Sequence, residues 1–269
     1  MSQTSDRIVA GALIDSGWLE ARLDDPTVRP VEVDVSAGAY AEGHVPGAVL
    51  WDAYADLRDG DYKPIDTPKL EMLLERSGVG PATMLAFYGY AAYLGYALVK
   101  AHGHEFAVVM DGPREHWRGA WSDERRTPEP ATYSLGPSTA LVTKGELLEY
   151  GDVVVDVRTE AEYAGERFWP SGAPEERGRA GHVPGALNVP ISELRTENAF
   201  RPVTEMRTRL RPHDIAPEAR VIVYCTIGNR ASQAWYALTH LLGYTNVAIY
   251  VGGWAEWGSD PTVPVEIAT

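Results

Sequence analysis

Short apolar runs alternate along the chain with stretches in which apolar side chains recur at helical spacing. Four runs in the second half have the composition of buried strands: Val153–Asp156, 186–189, Val221–Tyr224 and Val247–Tyr250. Between them lie a helix that begins at Glu160–Tyr163 and helical patterns at 204–210 and 231–242. This alternation predicts an α/β fold with mostly parallel sheets that helices cover on both faces.

Two parts of the chain resemble one another. The sequence HVPGA occurs at residues 44–48 and again at 182–186, and the triplet VDV occurs at 33–35 and again at 155–157. Motifs that recur in the same order indicate two copies of one fold. We therefore expect two tandem domains and a proline-containing linker between them, with boundaries at 1–121, 122–140 and 141–269.

Composition and charge narrow the choice of partner and compartment. The chain has 269 residues, 45% of them hydrophobic, and lacks an apolar stretch of the ~20 residues that a membrane helix needs. It carries 24 lysine and arginine residues against 38 acidic residues, and this net charge of −14 argues against nucleic acid as a partner. Because the N-terminus has no signal-peptide pattern, we expect a cytoplasmic protein that does not associate with membranes.

Cys225 is the single cysteine, so the sequence excludes an intrachain disulfide and a cysteine-rich zinc site. It follows the predicted strand Val221–Tyr224, and a short loop with Gly228 and Arg230 leads from it into the next predicted helix. Backbone N–H groups of such a loop, together with the N-terminus of the helix, would stabilise a thiolate. We therefore predict that Cys225 is a nucleophile and not a structural cysteine.

With these features the chain resembles the rhodanese-like sulfurtransferases, and specifically the two-domain enzymes that act on thiosulfate or 3-mercaptopyruvate. The resemblance rests on the sequences DVR at 156–158, GHVPGA at 181–186, CTIGNR at 225–230 and GGW at 252–254. It implies two domains of one α/β fold, with the active cysteine in the second domain. It also implies that sulfur moves from a small anionic donor to cyanide or a thiol through a Cys225 persulfide, without a metal or an organic cofactor.

The resemblance also suggests roles for residues around Cys225. The backbone amides of the loop would hold the thiolate and persulfide anions, and the residues concerned are Thr226, Ile227, Gly228, Asn229 and Arg230. Arg179, and less strongly Arg177, would contact the anionic donor, because the family carries an arginine just before the GHVPGA turn. Trp254 either forms a wall of the pocket or, as is more frequent for a large aromatic side chain, belongs to the core.

Other residues have two readings. Arg230 either adds positive charge near the sulfur or pairs with a buried carboxylate that holds the loop. Asp156 and Arg158 are expected to form an ion pair that supports the site, and the turn sequence around His182 accounts for that histidine without a role as a base.

The first half carries no cysteine at the matching position. Aligning the predicted strand Val221–Tyr224 with Met84–Phe87 places Tyr88 where Cys225 stands, and the loop that follows is three residues shorter. We therefore expect the first domain to be non-catalytic.

The donor and the reaction class stay partly open. Thr226 replaces the basic residue that follows the cysteine in thiosulfate-type loops, and Thr226-Ile227 does not match the mercaptopyruvate type. Thiosulfate is the expected donor and 3-mercaptopyruvate the alternative. Cysteine-dependent phosphatases and arsenate reductases have a longer loop between cysteine and arginine, which disfavours that reading. A non-catalytic binding module is the third possibility.

Overall fold

The computed structural model describes residues 13–60, 62–149, 153–173, 175–176 and 178–268. The strands of the first half are β1 (Leu13–Ile14), β2 (Val28–Asp34), β3 (Val49–Asp52), β4 (Met84–Tyr88) and β5 (Ala107–Met110). Those of the second half are β6 (Leu141–Val142), β7 (Val153–Asp156), β8 (Leu187–Asn188), β9 (Val221–Tyr224) and β10 (Val247–Tyr250).

Helices cover both sheets. Those of the first half are α1 (Ser16–Glu20), α2 (Gly38–Glu42), α3 (Thr67–Arg76) and α4 (Ala92–Ala101). Those of the second half are α5 (Lys144–Glu149), α6 (Glu160–Tyr163), α7 (Val203–Leu210), α8 (Asn229–Tyr236) and α9 (Gly253–Ser259). A π-helical turn, Ala237–Leu241, continues α8. Among the described residues, no helix is both long and apolar enough to span a lipid bilayer.

The two halves form parallel sheets of five strands with the same strand order. The first sheet runs β1-β5-β4-β2-β3 and the second runs β6-β10-β9-β7-β8, and the neighbouring strands in each are parallel. The predicted α/β class is confirmed. Because β4 and β9 lie in the middle of their sheets, the loops that follow them emerge at the centre of each carboxyl edge, where parallel sheets build their sites.

Most predicted elements of the second half occur with small changes of boundary. β7, β9 and β10 coincide with the predicted strands, whereas the predicted strand 186–189 is reduced to Leu187–Asn188. The helix predicted from residue 231 begins two residues earlier, at Asn229. The reason is Gly228, whose φ of 85° lets the chain turn directly from the loop into the helix.

Strand pairing sets the correspondence between the two halves. Asp156 lies opposite Tyr224 in the second sheet, and Glu32 lies opposite Tyr88 in the first. Each tyrosine hydroxyl accepts a hydrogen bond from the backbone N–H of the valine in its HVPGA motif, at 3.1 and 3.0 Å. Tyr88 is therefore the counterpart of Tyr224, and Glu32 is the counterpart of Asp156.

This register differs from the sequence alignment. The residue that takes the place of Cys225 is Gly89, not Tyr88, and the two VDV triplets are offset by two residues. The two-residue shift of the VDV triplets keeps every side chain of that strand on its original face, so the hydrophobic pattern does not detect it. The one-residue shift at Tyr88 is not detected either, because β4 and β9 are apolar and almost entirely buried along their lengths and show no alternation. The first-half loop still has no thiol, because Gly89 has no side chain.

The predicted linker follows an extended path. Residues 123–138 contain no helix or strand. Their backbone is bound to the first half: Leu135 N donates to Glu71 Oε1 at 2.8 Å, and Gly136 N donates to the carbonyl of His102 at 3.1 Å. The domain boundaries themselves stay a prediction, and residues 1–12 of the proposed first domain lie outside the described residues.

Aromatic side chains join the two halves. Helices α4 and α8 pack against each other, and Tyr96 of α4 lies 5.4 Å from Tyr236 between ring centroids. Tyr93 lies 5.2 Å from the same ring, and the Tyr96 hydroxyl is 3.2 Å from Nε2 of His240. Buried aromatic contacts of this kind hold the carboxyl edges of both sheets around one shared cleft.

We predict that Tyr96→Ala lowers the free energy of unfolding by about 3–5 kcal/mol, because it opens a cavity between α4 and α8. Tyr96→Phe is the matched control and should cost about 1 kcal/mol, since it removes only the hydroxyl contact to His240. Urea unfolding of both variants measures the difference. Equal losses would show that the ring does not support the contact between the halves.

Candidate active site

Cys225 stands at the carboxyl end of β9, and residues 225–228 turn tightly around its sulfur. Sγ accepts a hydrogen bond from Gly228 N at 3.0 Å, and the residue is 1% exposed. Gly228 is required here, because its φ is 85° and a Cβ at this position would lie 3.1 Å from the carbonyl oxygen of Val251. The loop therefore directs at least one backbone N–H at the sulfur and presents it at the N-terminus of α8.

A buried carboxylate ties the loop to the rest of the second half. Glu162 Oε1 accepts hydrogen bonds from Arg230 Nη2 at 2.7 Å and from Thr226 Oγ1 at 2.9 Å. Its Oε2 accepts from Arg230 Nη1 at 2.7 Å. Arg230 Nη2 also donates to Thr226 Oγ1 at 2.7 Å. The guanidinium of Arg230 thus pairs with a carboxylate and links both ends of the loop. Of the two roles predicted for Arg230, this is the pairing with a buried carboxylate that holds the loop.

Glu162 stays charged in this position. Burial acts to raise the pKa of its carboxyl, but the hydrogen bonds and charge of Arg230 outweigh burial, with help from Thr159 and Thr226, and the pKa falls to about 2. The pKa of Arg230 is raised, since Glu162 and Cys225 together outweigh the effect of its burial.

Glu162 was not singled out from the sequence. It lies in the first turn of α6 as the acidic member of a capping box with Thr159, whose side chain and backbone N–H it binds in return. The spacing of Thr159 and Glu162 predicts that cap, but not the bond to Arg230, which comes from a residue 68 positions away.

Asp156 and Arg158 form the expected ion pair behind the loop. Arg158 Nη2 lies 2.6 Å from Asp156 Oδ2, and both side chains are fully buried. Tyr224 donates to the same carboxylate oxygen at 2.6 Å, and Arg158 Nη2 also donates to the carbonyl of Gly181 at 2.6 Å. The ion pair thus links β9, the strand before Cys225, to the GHVPGA turn. It therefore supports the loop that begins at Cys225.

Trp254 lies behind Cys225 and not in a wall of the cavity. Its backbone N–H donates to the carbonyl oxygen of Cys225 at 2.8 Å, and its side chain is fully buried. The ring faces the guanidinium of Arg158 at 4.6 Å, and Nε1 donates to the carbonyl of Arg179 at 3.0 Å. Trp254 therefore holds the backbone of Cys225 in place.

Arg179 is directed toward the end of α9. Its Nη1 donates to the carbonyl of Val263 at 2.9 Å, and its remaining guanidinium N–H groups donate to carbonyls of Trp257, Gly258 and Asp260. It does not line the cavity at Cys225. A donor contact by Arg179 stays a prediction, and Arg177 lies outside the described residues.

His182 is part of the turn. Its ring stacks on Tyr163 with a centroid distance of 3.6 Å, and Nδ1 lies 2.9 Å from the carbonyl oxygen of Tyr163. Its backbone pairs with Glu266 near the end of the chain. These contacts agree with a supporting role.

A cavity of ≈ 580 Å³ opens in front of Cys225. Besides the loop, smaller residues of the segment 170–173 line it, together with aromatic residues from both halves: Tyr54, Tyr62, Tyr90 and Trp169. Tyr90 is 62% exposed and its carbonyl accepts a hydrogen bond from Asn229 Nδ2 at 3.1 Å, so the first half closes one side of the cavity. The sequence did not point to the three tyrosines, because they belong to loops of the half without a nucleophile.

The described residues contain no group of three or more His, Cys, Asp or Glu side chains that could hold a metal ion. Among the described residues that line the cavity, Arg230 has the one charged side chain, and this side chain is paired with Glu162. The arrangement can therefore hold an anionic sulfur through backbone N–H groups, within an aromatic cavity.

We predict that Glu162→Gln lowers the free energy of unfolding by about 3 kcal/mol at pH 7, because it leaves the partly buried Arg230 without a counter-charge. The folded-state pKa of about 2 lies below the ordinary value of 4.5. The stabilisation is therefore complete above pH 4.5 and is lost as the pH falls toward 2. Denaturant unfolding at a series of pH values tests this, and a difference between variant and wild type that stays constant down to pH 3 would contradict it.

We predict that Arg179→Ala lowers the free energy of unfolding by about 1–3 kcal/mol, because the carbonyls at the end of α9 lose their donor. Arg167→Ala is the matched control, since Arg167 lies in the same segment and is exposed. Thermal unfolding and the KM for thiosulfate should be measured together. If Arg179→Ala keeps the wild-type stability but raises the KM for thiosulfate, the result would support the donor contact expected from the sequence and contradict this prediction.

Comparisons with known proteins agree with this geometry. The model of the rhodanese-like domain matches residues 143–260. A candidate thiosulfate sulfurtransferase of Haloferax volcanii is 34% identical over 94% of this chain and 96% of its own length. The sulfur carrier protein TtuD of Thermus thermophilus is 33% identical over 94% of this chain and 95% of its own length.

Solved structures agree at the level of the fold. An anaerobic ergothioneine biosynthesis enzyme from Chlorobium limicola superposes with a TM-score of 0.83 at 23% identity, covering 96% of this chain and 71% of that enzyme. From the extent and identity of the sequence matches, the chain belongs to the rhodanese-like sulfurtransferase family.

Proposed function

We propose that the protein is a thiosulfate sulfurtransferase that transfers a sulfane sulfur to cyanide or a thiol through a persulfide on Cys225. The observation that carries the proposal is the position of Sγ, which accepts a hydrogen bond from Gly228 N at 3.0 Å and faces the ≈ 580 Å³ cavity. A thiol held by backbone N–H groups at a helix N-terminus is favoured as the thiolate, and the thiolate is the nucleophile.

The reaction has two displacements on one sulfur atom. In the first, the Cys225 thiolate attacks the sulfane sulfur of thiosulfate, the S–S bond of the donor breaks, and sulfite leaves with its electron pair. In the second, cyanide or a thiolate attacks the outer sulfur of the persulfide, and the Cys225 thiolate returns. No net oxidation of the protein occurs, and the kinetics are ping-pong.

Negative charge moves from one sulfur to the next during the cycle. Gly228 N donates to Sγ, and in this proposal the other loop amides of residues 226–230 bind the charge on either sulfur as a fixed set of donors. Glu162 and Arg230 act on the reaction indirectly, since their contacts with Thr226 hold the loop in shape.

We also propose that the chain consists of two rhodanese-like domains, a non-catalytic one at 1–121 and a catalytic one at 141–269, with the linker at 122–140. The identical strand order of the two sheets supports this, as does the equivalence of Tyr88 with Tyr224. Gly89 at the place of Cys225 supports the non-catalytic assignment of the first domain.

The choice of donor rests on two observations that point in different directions. Relatives named as candidate thiosulfate sulfurtransferases favour thiosulfate. The aromatic walls of the cavity favour 3-mercaptopyruvate, which carries one carboxylate and an organic body, over the compact dianion. We retain thiosulfate as the donor and 3-mercaptopyruvate as the second candidate, and a comparison of kcat/KM for the two donors decides between them.

A cysteine-dependent phosphatase is a weaker candidate. In such an enzyme the loop arginine would bind two oxygens of the phosphoryl group, but here both Nη atoms of Arg230 are bonded to Glu162. The charge that a phosphate dianion would need is therefore already neutralised.

We predict that the purified protein gains ~32 Da on incubation with thiosulfate, the mass of one sulfur atom, and loses it again with cyanide. Intact-protein mass spectrometry measures both steps, and Cys225→Ser, which keeps the shape of the loop, should show neither. A gain with 3-mercaptopyruvate alone would favour the second candidate. No gain with either donor would contradict the proposed function and favour a binding module.

A further inference from the structure

Arg58 of the first half reaches across to the loop that holds Cys225. It lies beyond β3, where its backbone pairs with Pro64, and its side chain is almost completely buried, with 4% of the residue exposed. Nη1 donates to the carbonyl of Tyr62 at 3.1 Å and to the carbonyl of Val251 at 3.2 Å. Val251 directly follows β10 in the second half, so the guanidinium bridges the two halves beside the active loop.

The charge of Arg58 has no carboxylate partner within 4 Å in the described part of the chain. Its Nε and Nη2 atoms are buried without a hydrogen-bond partner. Arg158 and Arg230, the other arginines around the loop, are each paired with an acidic side chain. An unpaired buried cation costs free energy, and such groups concentrate at functional sites.

The guanidinium lies against the loop at its tightest point. A Cβ built on Gly228 would be 3.3 Å from Arg58 Nη2, and the N–H of the same glycine donates to Cys225 Sγ at 3.0 Å. One glycine therefore separates the unpaired cation from the sulfur. Arg58 does not line the cavity in front of Cys225, so it acts from behind the loop.

Electrostatics agree with that geometry. Burial lowers the pKa of Arg58 to about 10, and the largest opposing effect comes from Cys225, whose negative charge favours the protonated guanidinium. At this value Arg58 remains a cation at neutral pH. The interaction is reciprocal, because a cation that is stabilised by an anion also stabilises that anion.

We propose that Arg58 is a positioning residue that holds positive charge behind Cys225 and stabilises its thiolate and its persulfide. The persulfide part rests on the proposed function, whereas the thiolate part does not. In a protein with a net charge of −14, a fixed cation behind the sulfur offsets the long-range repulsion of an anionic donor. The first half then contributes to the chemistry, although it has no nucleophile of its own.

The test compares alkylation of Cys225 by iodoacetate, which is an anion, with alkylation by iodoacetamide, which is neutral. The ratio of the two rate constants reports the electrical potential at the sulfur. The same ratio in the urea-unfolded chain is the reference. We expect the folded wild type to have a clearly higher ratio than the unfolded chain, and Arg58→Gln to lower it by about tenfold.

Arg58→Lys separates charge from shape. Lysine keeps the positive charge but loses the planar fork that binds two carbonyls, so it should retain most of the wild-type ratio. Arg76→Gln is the matched control, because Arg76 also lies in the first half but is exposed and paired with Asp56. This control should leave the ratio unchanged.

Three outcomes would overturn the proposal: a ratio in Arg58→Gln equal to that of the wild type, a loss in Arg58→Lys as large as in Arg58→Gln, or a folded wild type with a ratio no higher than the unfolded chain. The last needs no variant, so it decides even if Arg58→Gln does not fold. Alkylation requires no sulfur donor. A wild type that shows the charge preference but gains no sulfur would therefore contradict the proposed function and leave the assignment of Arg58 to Cys225 supported.

Discussion

The carboxylate of Glu162 is the constraint on which the site depends. It caps α6 through Thr159, and the same two oxygens bind Arg230 and Thr226 at the two ends of the cysteine loop. A buried carboxylate is unfavourable unless its hydrogen-bonding capacity is filled, and here four neighbouring donor groups fill it. The contacts of Glu162 therefore keep the loop amides directed at the sulfur, and no separate acid–base residue is needed to hold the loop.

The sequence was sufficient for the fold class, the position of Cys225 directly after β9 and the ion pair of Asp156 with Arg158. The strands around Cys225 are short, apolar and ended by charge or glycine, and local pattern determines such elements directly. It was insufficient for the register between the repeats. A two-residue shift of the VDV triplets preserves the alternation of faces, and a one-residue shift between β4 and β9 is not visible because both strands are apolar throughout. The pairing of Glu32 with Tyr88 and the hydrogen bond from Val45 N to the Tyr88 hydroxyl resolve that ambiguity.

Some contacts of the residues around the cavity could likewise be predicted from the sequence, and others could not. Asp156 and Arg158 are two positions apart, so their pairing could be expected from the sequence. Glu162 with Arg230 and Arg58 with Val251 are 68 and 193 positions apart, and no local pattern predicts such contacts. The contacts of Arg179 with backbone carbonyls at the end of α9 were likewise not predicted from the sequence, and its contact with the donor stays a prediction.

The distribution of paired and unpaired arginines suggests why two halves are joined. Arg158 and Arg230 are neutralised by partners from the second half itself, so that half can stabilise its loop but offers little net charge to the sulfur. Arg58 comes from the first half and has carbonyl partners alone, so its charge is available to the anion beyond Gly228. Since Gly89 replaces the nucleophile in the first half, that half is free to supply a cation and aromatic walls. A loss of the thiol in one copy of the repeat is then compatible with a continued role in the chemistry of the other.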